Sequence, residues 1–331
     1  MKLVLPMAGY GTRLRPLTWS KPKPLLSVAG KPILGHVLEM YAGLSSIDEV
    51  ILIVGYLGAQ IEDFVGQTFP RLRAHYVEQM EMRGQSHALW LAREYLQGPM
   101  LMLFVDTIIE ADLSTLASEK AGAVAWVREV DDPRRFGVAE VGDDSWVRRL
   151  IEKPKDTSNN LAVVGFYYFQ QAEELVSAIE EQMARNIHLK DEYYLADAVN
   201  IMLDRGLKMR VEHVAVWQDC GKPDTLLQTN RYLLESGRDN SKQAAKREGV
   251  EIVPPVFVDP TANISHSVLG PSVSIGAGCT VERSSIRDSI VEAEAHISDC
   301  TLSASLIGNR ARVAGYEGSL NVGDSSTVGS A

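Results

Sequence analysis

Ile252, Val258, Ile264, Leu269, Ile275, Val281, Ile286, Val291, Ile297, Leu302, Ile307 and Val313 recur every five or six residues. That spacing fits neither a helix face, which repeats every ~3.6 residues, nor a half-buried strand, which alternates every ~2. Small or turn residues such as Gly270, Gly276 and Gly278 lie between. The fold it dictates is a parallel β-helix, in which three short strands make each triangular coil, and these positions predict about four coils. From Gly315 onward the residues are small and polar, and they are expected to form a cap or a partly disordered tail.

The chain before this repeat reads differently. Val50 to Val54 and Met100 to Val105 are unbroken apolar strands, and Leu72 to Val77 is strand-like. Helical patterns run over Pro32 to Leu44, Ala59 to Val65 and Gly84 to Leu96. Strands alternating with helices imply a mainly parallel, doubly wound α/β sheet, whose ligands sit beyond the carboxyl ends of the strands. From Ala123 the pattern becomes strand-rich: Val124 to Val127, Phe136 to Val141, Trp146 to Glu152 and Val163 to Phe169. Helices follow at Ala172 to Met183, Glu192 to Leu203 and Pro223 to Leu234, with strands at Lys208 to Val214 and Val216 to Asp219. The expected organisation is a domain over 1–235, a polar linker over 236–250 and a repeat domain with a polar tail over 251–331.

Charge is distributed unevenly. The chain has 331 residues and a formal net charge of -10. Yet its first acid is Glu39, preceded by Lys2, Arg13, Arg15, Lys21, Lys23 and Lys31. This cluster surrounds a glycine turn, Ala8-Gly9-Tyr10-Gly11-Thr12-Arg13, that comes after the apolar Leu3 to Leu5. Glycines let a backbone approach a ligand and aim N–H groups at it, while Arg and Lys neutralise phosphate oxygens. Pro16, Pro22 and Pro24 restrict φ and stiffen the basic arm beyond the turn. A dinucleotide fingerprint is excluded because Leu14 stands at its third glycine, and no P-loop is present. The alternative is a surface turn with solvated cations. Asp106 and Asp219 each end an apolar segment. A carboxylate there is costly unless paired or metal-bound, and hard oxygen ligands suit Mg²⁺; a turn-capping acid is the alternative.

The turn and the arm beyond it, Gly9-x-Gly11-Thr12-Arg13-Leu14-x-Pro16-Leu17-Thr18 and Pro22-Lys23-Pro24-Leu25, resemble the signature of the sugar-1-phosphate nucleotidyltransferases. The resemblance implies that Ala8, Gly9, Gly11 and Thr12 wrap a nucleoside triphosphate, and that Arg13 and Lys23 flank the reacting phosphates as catalytic residues. Further motifs extend it over residues 1–235. Leu103-Phe104-Val105-Asp106, with Val105 where the family has Gly, and Trp217-Gln218-Asp219-Cys220-Gly221 are similar to the elements whose Asp residues bind catalytic magnesium. The segment of Gln79 and Gly84 resembles the part that reads the nucleobase, and a Gln amide matches the imide edge of uracil or thymine. Phe136-Gly137-Val138, Glu152-Lys153-Pro154 and Asn160 to Gly165 match sugar-side elements. Gly137, Glu152, Asn160 and Gly165 would then face the sugar, and Lys153 and Lys190 its phosphate. Val164 replaces a common Thr. Residues 251–315 resemble the tail of long-form glucose-1-phosphate thymidylyltransferases, and the coil of hexapeptide-repeat proteins is left-handed. The implied fold is a Rossmann-like, doubly wound mixed sheet followed by a left-handed parallel β-helix.

The expected activity is Mg²⁺-dependent transfer of a nucleotidyl group, from dTTP or next from UTP, to a sugar-1-phosphate, with glucose-1-phosphate favoured. A mannose-1-phosphate guanylyltransferase-like enzyme and a non-catalytic nucleotide-sugar-binding homologue are the alternatives. Acyl transfer by the coil is disfavoured, since His266 and His296 sit at turn-like positions. No apolar run reaches the ~18 residues of a membrane span. The acidic balance argues against nucleic acid as a partner. Cys220, Cys279 and Cys300 are too scattered for a disulfide framework, and the start shows no leader pattern, so a reducing cytoplasm is expected. The flat faces of a coil make it the expected route to a homo-oligomer.

Overall fold

A computed structural model describes residues 1–42, 44, 46–114 and 116–329. They form two compact units: Met1–Gly9 with Val37–Trp217, and Tyr10–His36 with Gln218–Ala331. This division departs from the boundary expected near residue 235. The chain leaves the first unit at the glycine turn, and the basic arm groups with the C-terminal coil.

The first unit is built on a nine-stranded sheet. Its order runs Val147–Glu152, Gly137–Val141, Leu161–Phe169, Met100–Leu103, Lys2–Pro6, Glu49–Val54, Ala74–Glu78. Ala123–Glu129 also pairs with Leu161–Phe169, and Met209–His213 with Ala123–Glu129. Met100–Leu103, Lys2–Pro6, Glu49–Val54 and Ala74–Glu78 run parallel to one another. Leu3, Val4, Leu5, Ile51, Leu52, Ile53, Leu101 and Met102 are all fully buried. Central strands covered on both faces have no place for polar residues, which is why these segments are unbroken apolar runs. Leu161–Phe169 enters antiparallel to both Met100–Leu103 and Ala123–Glu129, so the sheet is mixed. Gly58–Thr68, Gln85–Leu91, Ala172–Ala184 and Leu195–Asp204 are the helices, with Ile61, Val65, Leu175, Ile179, Val199 and Met202 turned inward.

The second unit is a left-handed parallel β-helix with the arm and the helix Pro223–Leu233. Three five-stranded parallel sheets form its walls, which makes five coils and not four. Each of the twelve apolar positions falls on its own strand, from Ile252 on Val250–Ile252 to Val313 on Arg312–Ala314. The additional coil is Glu317–Gly318, Asn321–Val322 and Thr327–Val328, where Gly318, Val322 and Val328 pair with Leu302, Ile307 and Val313. The expected cap or tail is thus a true coil as far as Val328, while residues 330 and 331 lie outside those described. Gly318 stands where an inward apolar residue was needed for the pattern to continue, which hid the coil. Within 236–250, the expected linker, Ser241–Ala244 forms a short helix, and Ala244 is buried in the coil's core.

Candidate active site

Of the motifs expected to face the sugar, those of Gly137 and Glu152 gather around one lysine of the first unit. Gly137 pairs with Glu152 across two antiparallel strands, and a Cβ on Gly137 would stand 3.3 Å from Glu152 Oε2. Lys153 comes next at φ +48°, a left-handed conformation that a side chain disfavours. Such local strain persists only where the surroundings enforce it, and it clusters at functional sites. Lys153 N–H donates to Phe136 O at 2.9 Å, and Nζ donates to the Tyr194 hydroxyl at 2.8 Å. Nζ also stands 4.5 Å from the centre of the Tyr194 ring and 3.6 Å from Glu152 Oε1. Burial works against the Lys153 charge, but Tyr194, Glu152 and Glu192 together hold its ammonium above the ordinary lysine value. Burial pushes Glu152 above the ordinary carboxylate range, and Lys153 only partly offsets it. Sequence reasoning missed Tyr194. Its only signal is its place between two acids, Glu192 and Asp197.

The other sugar-side residues separate. Asn160 is exposed, and its side chain has no hydrogen-bond partner among the described residues, whereas Asn159 Nδ2 donates to Ala139 O at 2.9 Å. Gly165 has φ +79° and lies at the register shift between Val163 and Tyr167. A Cβ there would come within 2.5 Å of the Phe104 ring, so packing against Phe104 already demands glycine at that position. Lys190 and Asp191 both have positive φ at the tip of a tight turn closed by Leu189 and Glu192, and Lys190 is exposed.

Gln79 and Gly84 do come together. Gln79 is buried and its Nε2 lies 3.1 Å from Gly84 O and 3.2 Å from His87 Nδ1. Burial, reinforced by the Arg83 charge, holds His87 below the ordinary histidine value, so the neutral ring can accept at Nδ1. The amide's donor end is therefore spent inside the protein, and Oε1 takes no partner among the described residues. Gly84, at φ +94°, leaves no room for a side chain, since a Cβ would lie 2.5 Å from Tyr193 O. Ala8 lies so close to Gly55 that a Cβ on the glycine would stand 2.5 Å from Ala8 O, and Cβ space at Gly9 is open. Asp106 is half-buried in the turn after Met100–Leu103.

In the second unit, Gly11 adopts φ +61° and opens a 3₁₀ turn at Thr12–Leu14. Thr18 Oγ1 donates to Gly11 O at 2.8 Å. A Cβ on Gly11 would lie 3.1 Å from Thr18 Cγ2 and 3.2 Å from Lys23 Cβ, so the turn and the stem of Lys23 are packed together. Lys23 starts its own 3₁₀ turn, Lys23–Leu25. Arg13 is exposed and forms no ion pair among the described residues. Its Nη2 lies 3.2 Å from where a Cβ on Gly221 would be, and Asp219 Oδ1 lies 2.7 Å from the same point. Gly221 N–H donates to that oxygen at 2.7 Å, and Thr229 donates to Asp219 O at 3.0 Å. The remaining cations are not equivalent. Lys21 is neutralised inside the unit, its Nζ 2.7 Å from Glu292 Oε2 and 3.1 Å from Asn309 Oδ1.

Among the described residues no group of three or more His, Cys, Asp or Glu is gathered as a metal cage. Mg²⁺ needs no such cage, since it is held by one or two carboxylates together with substrate phosphates and waters. The carboxylates of Asp106 in the first unit and of Asp219 in the second are each hard oxygen donors of that kind. No helix among the described residues is long and apolar enough to cross a membrane.

Comparison with known proteins gives the same direction. The family model described as nucleotidyl transferase matches residues 2–236. A glucose-1-phosphate thymidylyltransferase of Streptomyces griseus is 30% identical over 338 residues, covering 95% of this chain and 93% of that one. The bifunctional protein GlmU of Methanocaldococcus jannaschii is 34% identical over 235 residues, or 71% of this chain and 55% of that protein. In fold, a UDP-glucose pyrophosphorylase solved with UDP-glucose superposes with a TM-score of 0.62 at 20% identity, over 71% of this chain and 98% of that one. The chain belongs to the nucleotidyl transferase family, as a sugar-1-phosphate nucleotidyltransferase with a C-terminal β-helix.

Proposed function

We propose that the chain transfers a nucleotidyl group from dTTP, or with lower preference UTP, to glucose-1-phosphate. The observation that carries this reading is Arg13: an exposed guanidinium without an ion pair among the described residues, on a glycine turn packed against Lys23 and beside Asp219. An oxygen of the sugar phosphate attacks the α-phosphorus in line, the bond to the bridging oxygen breaks, and pyrophosphate leaves. The nucleophile is already an anion, so no general base is needed, and catalysis consists of positioning and charge neutralisation. Lys153 holds the sugar phosphate, with Glu152 and Asn160 on sugar hydroxyls. Arg13 and Lys23 neutralise the α-phosphate and the leaving group. Mg²⁺, when bound by Asp106 and Asp219, would supply further neutralisation at the phosphate oxygens.

Base choice rests on Gln79. With its nitrogen engaged by Gly84 and His87, the amide offers an acceptor, which suits a base presenting a ring N–H. Thymine and uracil do so at N3 and guanine does so at N1, so GTP with mannose-1-phosphate is the competing pair. The thymidylyltransferase likeness across nearly the whole chain favours dTTP. Pyrophosphate release from dTTP, UTP and GTP, each with glucose-1-phosphate and mannose-1-phosphate, in Mg²⁺ and in EDTA, tests the assignment. Lys23→Ala and Asp219→Ala should each lower kcat by about 10²–10³-fold without unfolding the chain. Near-wild-type turnover in either one would sink the reading.

Self-association through the coil is proposed along the two walls whose outward positions are mostly polar. The third wall turns Ile290 and Leu306 outward, and both are already buried within the unit. The three cysteines are buried thiols, which suits a reducing cytoplasm.

A further inference from the structure

Proline alone does not account for the stiffness of the basic arm. Followed from Gly30 back to Pro16, the arm meets the five coils one after another. At the first coil, the Phe257 ring fills the space a side chain on Gly30 would need, with ring carbons 2.2 Å from that Cβ position. At the second the link is indirect: Asn230 Oδ1, on the helix Pro223–Leu233, accepts from Ala29 N–H at 2.8 Å and from Ser274 Oγ at 2.7 Å. At the third, Glu292 Oε1 accepts from Ser27 N–H at 2.8 Å, while Oε2 accepts from Lys21 Nζ at 2.7 Å and Ser27 Oγ at 3.1 Å. At the fourth, Asn309 Oδ1 takes a second bond from Lys21 at 3.1 Å. At the fifth, Asp324 Oδ2 accepts from Ser20 Oγ at 2.8 Å, and Pro16 lies against Gly323. These coil residues lie on, or just after, the strands of a single wall.

Glu292 is the centre of this series. It is 5% exposed, and both its oxygens are consumed by the arm. Burying a carboxylate is costly unless a cation and further donors satisfy it, and here three donors do. Two of them come from Ser27 and one from Lys21, the residues that bracket the 3₁₀ turn bearing Lys23. We propose that the coil is a splint for the arm, and that Glu292 is a positioning residue for Lys23, acting through Lys21 and Ser27. It does not touch substrate. The inference rests on the catalytic role proposed for Lys23, and it assigns the β-helix a part in the reaction besides assembly.

The test uses the full chain carrying Glu292→Gln, which keeps the side chain's shape and removes its charge. Amide hydrogen exchange over residues 16–30 should accelerate by about tenfold or more, with the coil strands unchanged. In the pyrophosphate-release assay kcat should fall by about 10–100-fold while KM for both substrates stays within about threefold, because the bound groups remain and only their alignment suffers. Unchanged exchange, or faster exchange with wild-type kcat, overturns the proposal. If circular dichroism shows that Glu292→Gln does not fold, Asn309→Ala removes only the second acceptor of Lys21, and about threefold changes in the same two readouts are expected. A wild-type chain that releases no pyrophosphate from any pair would refute the role of Lys23, and the splint would then be judged on exchange alone.

Discussion

Lys153 in the first unit and Lys21 in the second are held in opposite ways. Lys153 is about half exposed, on a left-handed residue, with a hydroxyl, an aromatic face and a carboxylate at 3.6 Å. Lys21 is 13% exposed in its side chain, with a carboxylate at 2.7 Å and an amide oxygen at 3.1 Å. The first cation is oriented but left with charge to spare; the second is fully spent. Both sit in short basic motifs, and charge and spacing alone offer no way to rank them. A cation meant for an incoming phosphate should be fixed by neutral partners, because a close carboxylate would compete with the ligand.

Paired substitutions probe this contrast most directly. Lys153→Met should lower kcat/KM by about 10³-fold and leave the melting temperature near that of wild type. Lys21→Met should instead destabilise the fold by about 3 kcal/mol, because it strands the buried Glu292 without its cation; thermal denaturation checks it. If Lys153→Met melted early, or Lys21→Met melted normally, the distinction would fail. Tyr194→Phe is a smaller perturbation. It keeps the ring beneath Lys153 and removes the hydroxyl, so KM for the sugar phosphate should rise about fivefold at constant stability.

The smallest effect expected is a pH dependence at Glu152. Burial raises its pKa in the folded chain, with Lys153 pulling the other way. A carboxyl group raised on folding favours the protonated folded state. Its contribution is present below the ordinary carboxylate range and is lost as pH rises through the folded value. Glu152→Gln should therefore melt slightly above wild type at pH 8, and the gap should close towards pH 4. A gap that widened in acid would reverse the sign and implicate a charged, stabilising Glu152.

Much of this was legible beforehand. Every one of the twelve apolar repeat positions found its own strand, because one inward residue per strand is the minimum a β-helix core requires. The fifth coil was hidden because Gly318 replaces the inward residue at its first strand and Glu317, Asn321 and Thr327 disguise the rest. The glycine turn was legible as a tight turn, since Gly11 takes a positive φ and packs against Thr18 and Lys23. Gln79 and Gly84 were legible as members of one segment, but neither their contact nor the fact that the amide's donor end is already used could be read there. Gly165 read as a sugar contact, although the Phe104 ring explains it. Glu292 could not be found at all. It lies 265 positions from Ser27 in a stretch, Val291-Glu292-Ala293-Glu294, that marks neither glutamate. Hydrophobic spacing announces a core, whereas a buried ion pair between distant segments leaves no periodic trace.

The coil-by-coil match between the arm and the wall has a consequence for how this tail can change. Adjacent coils are separated by about 4.8 Å, the ordinary spacing between paired strands. The wall is thus a ruler with five graduations, against which residues 16 to 30 are read off in reverse. Solenoids usually gain and lose repeats freely at their ends, because each repeat answers only to its neighbours. Here an inserted or deleted coil between Phe257 and Asp324 would shift every later graduation by one and leave the arm matched to the wrong marks. The length of this tail is tied to the spelling of a segment at the other end of the chain.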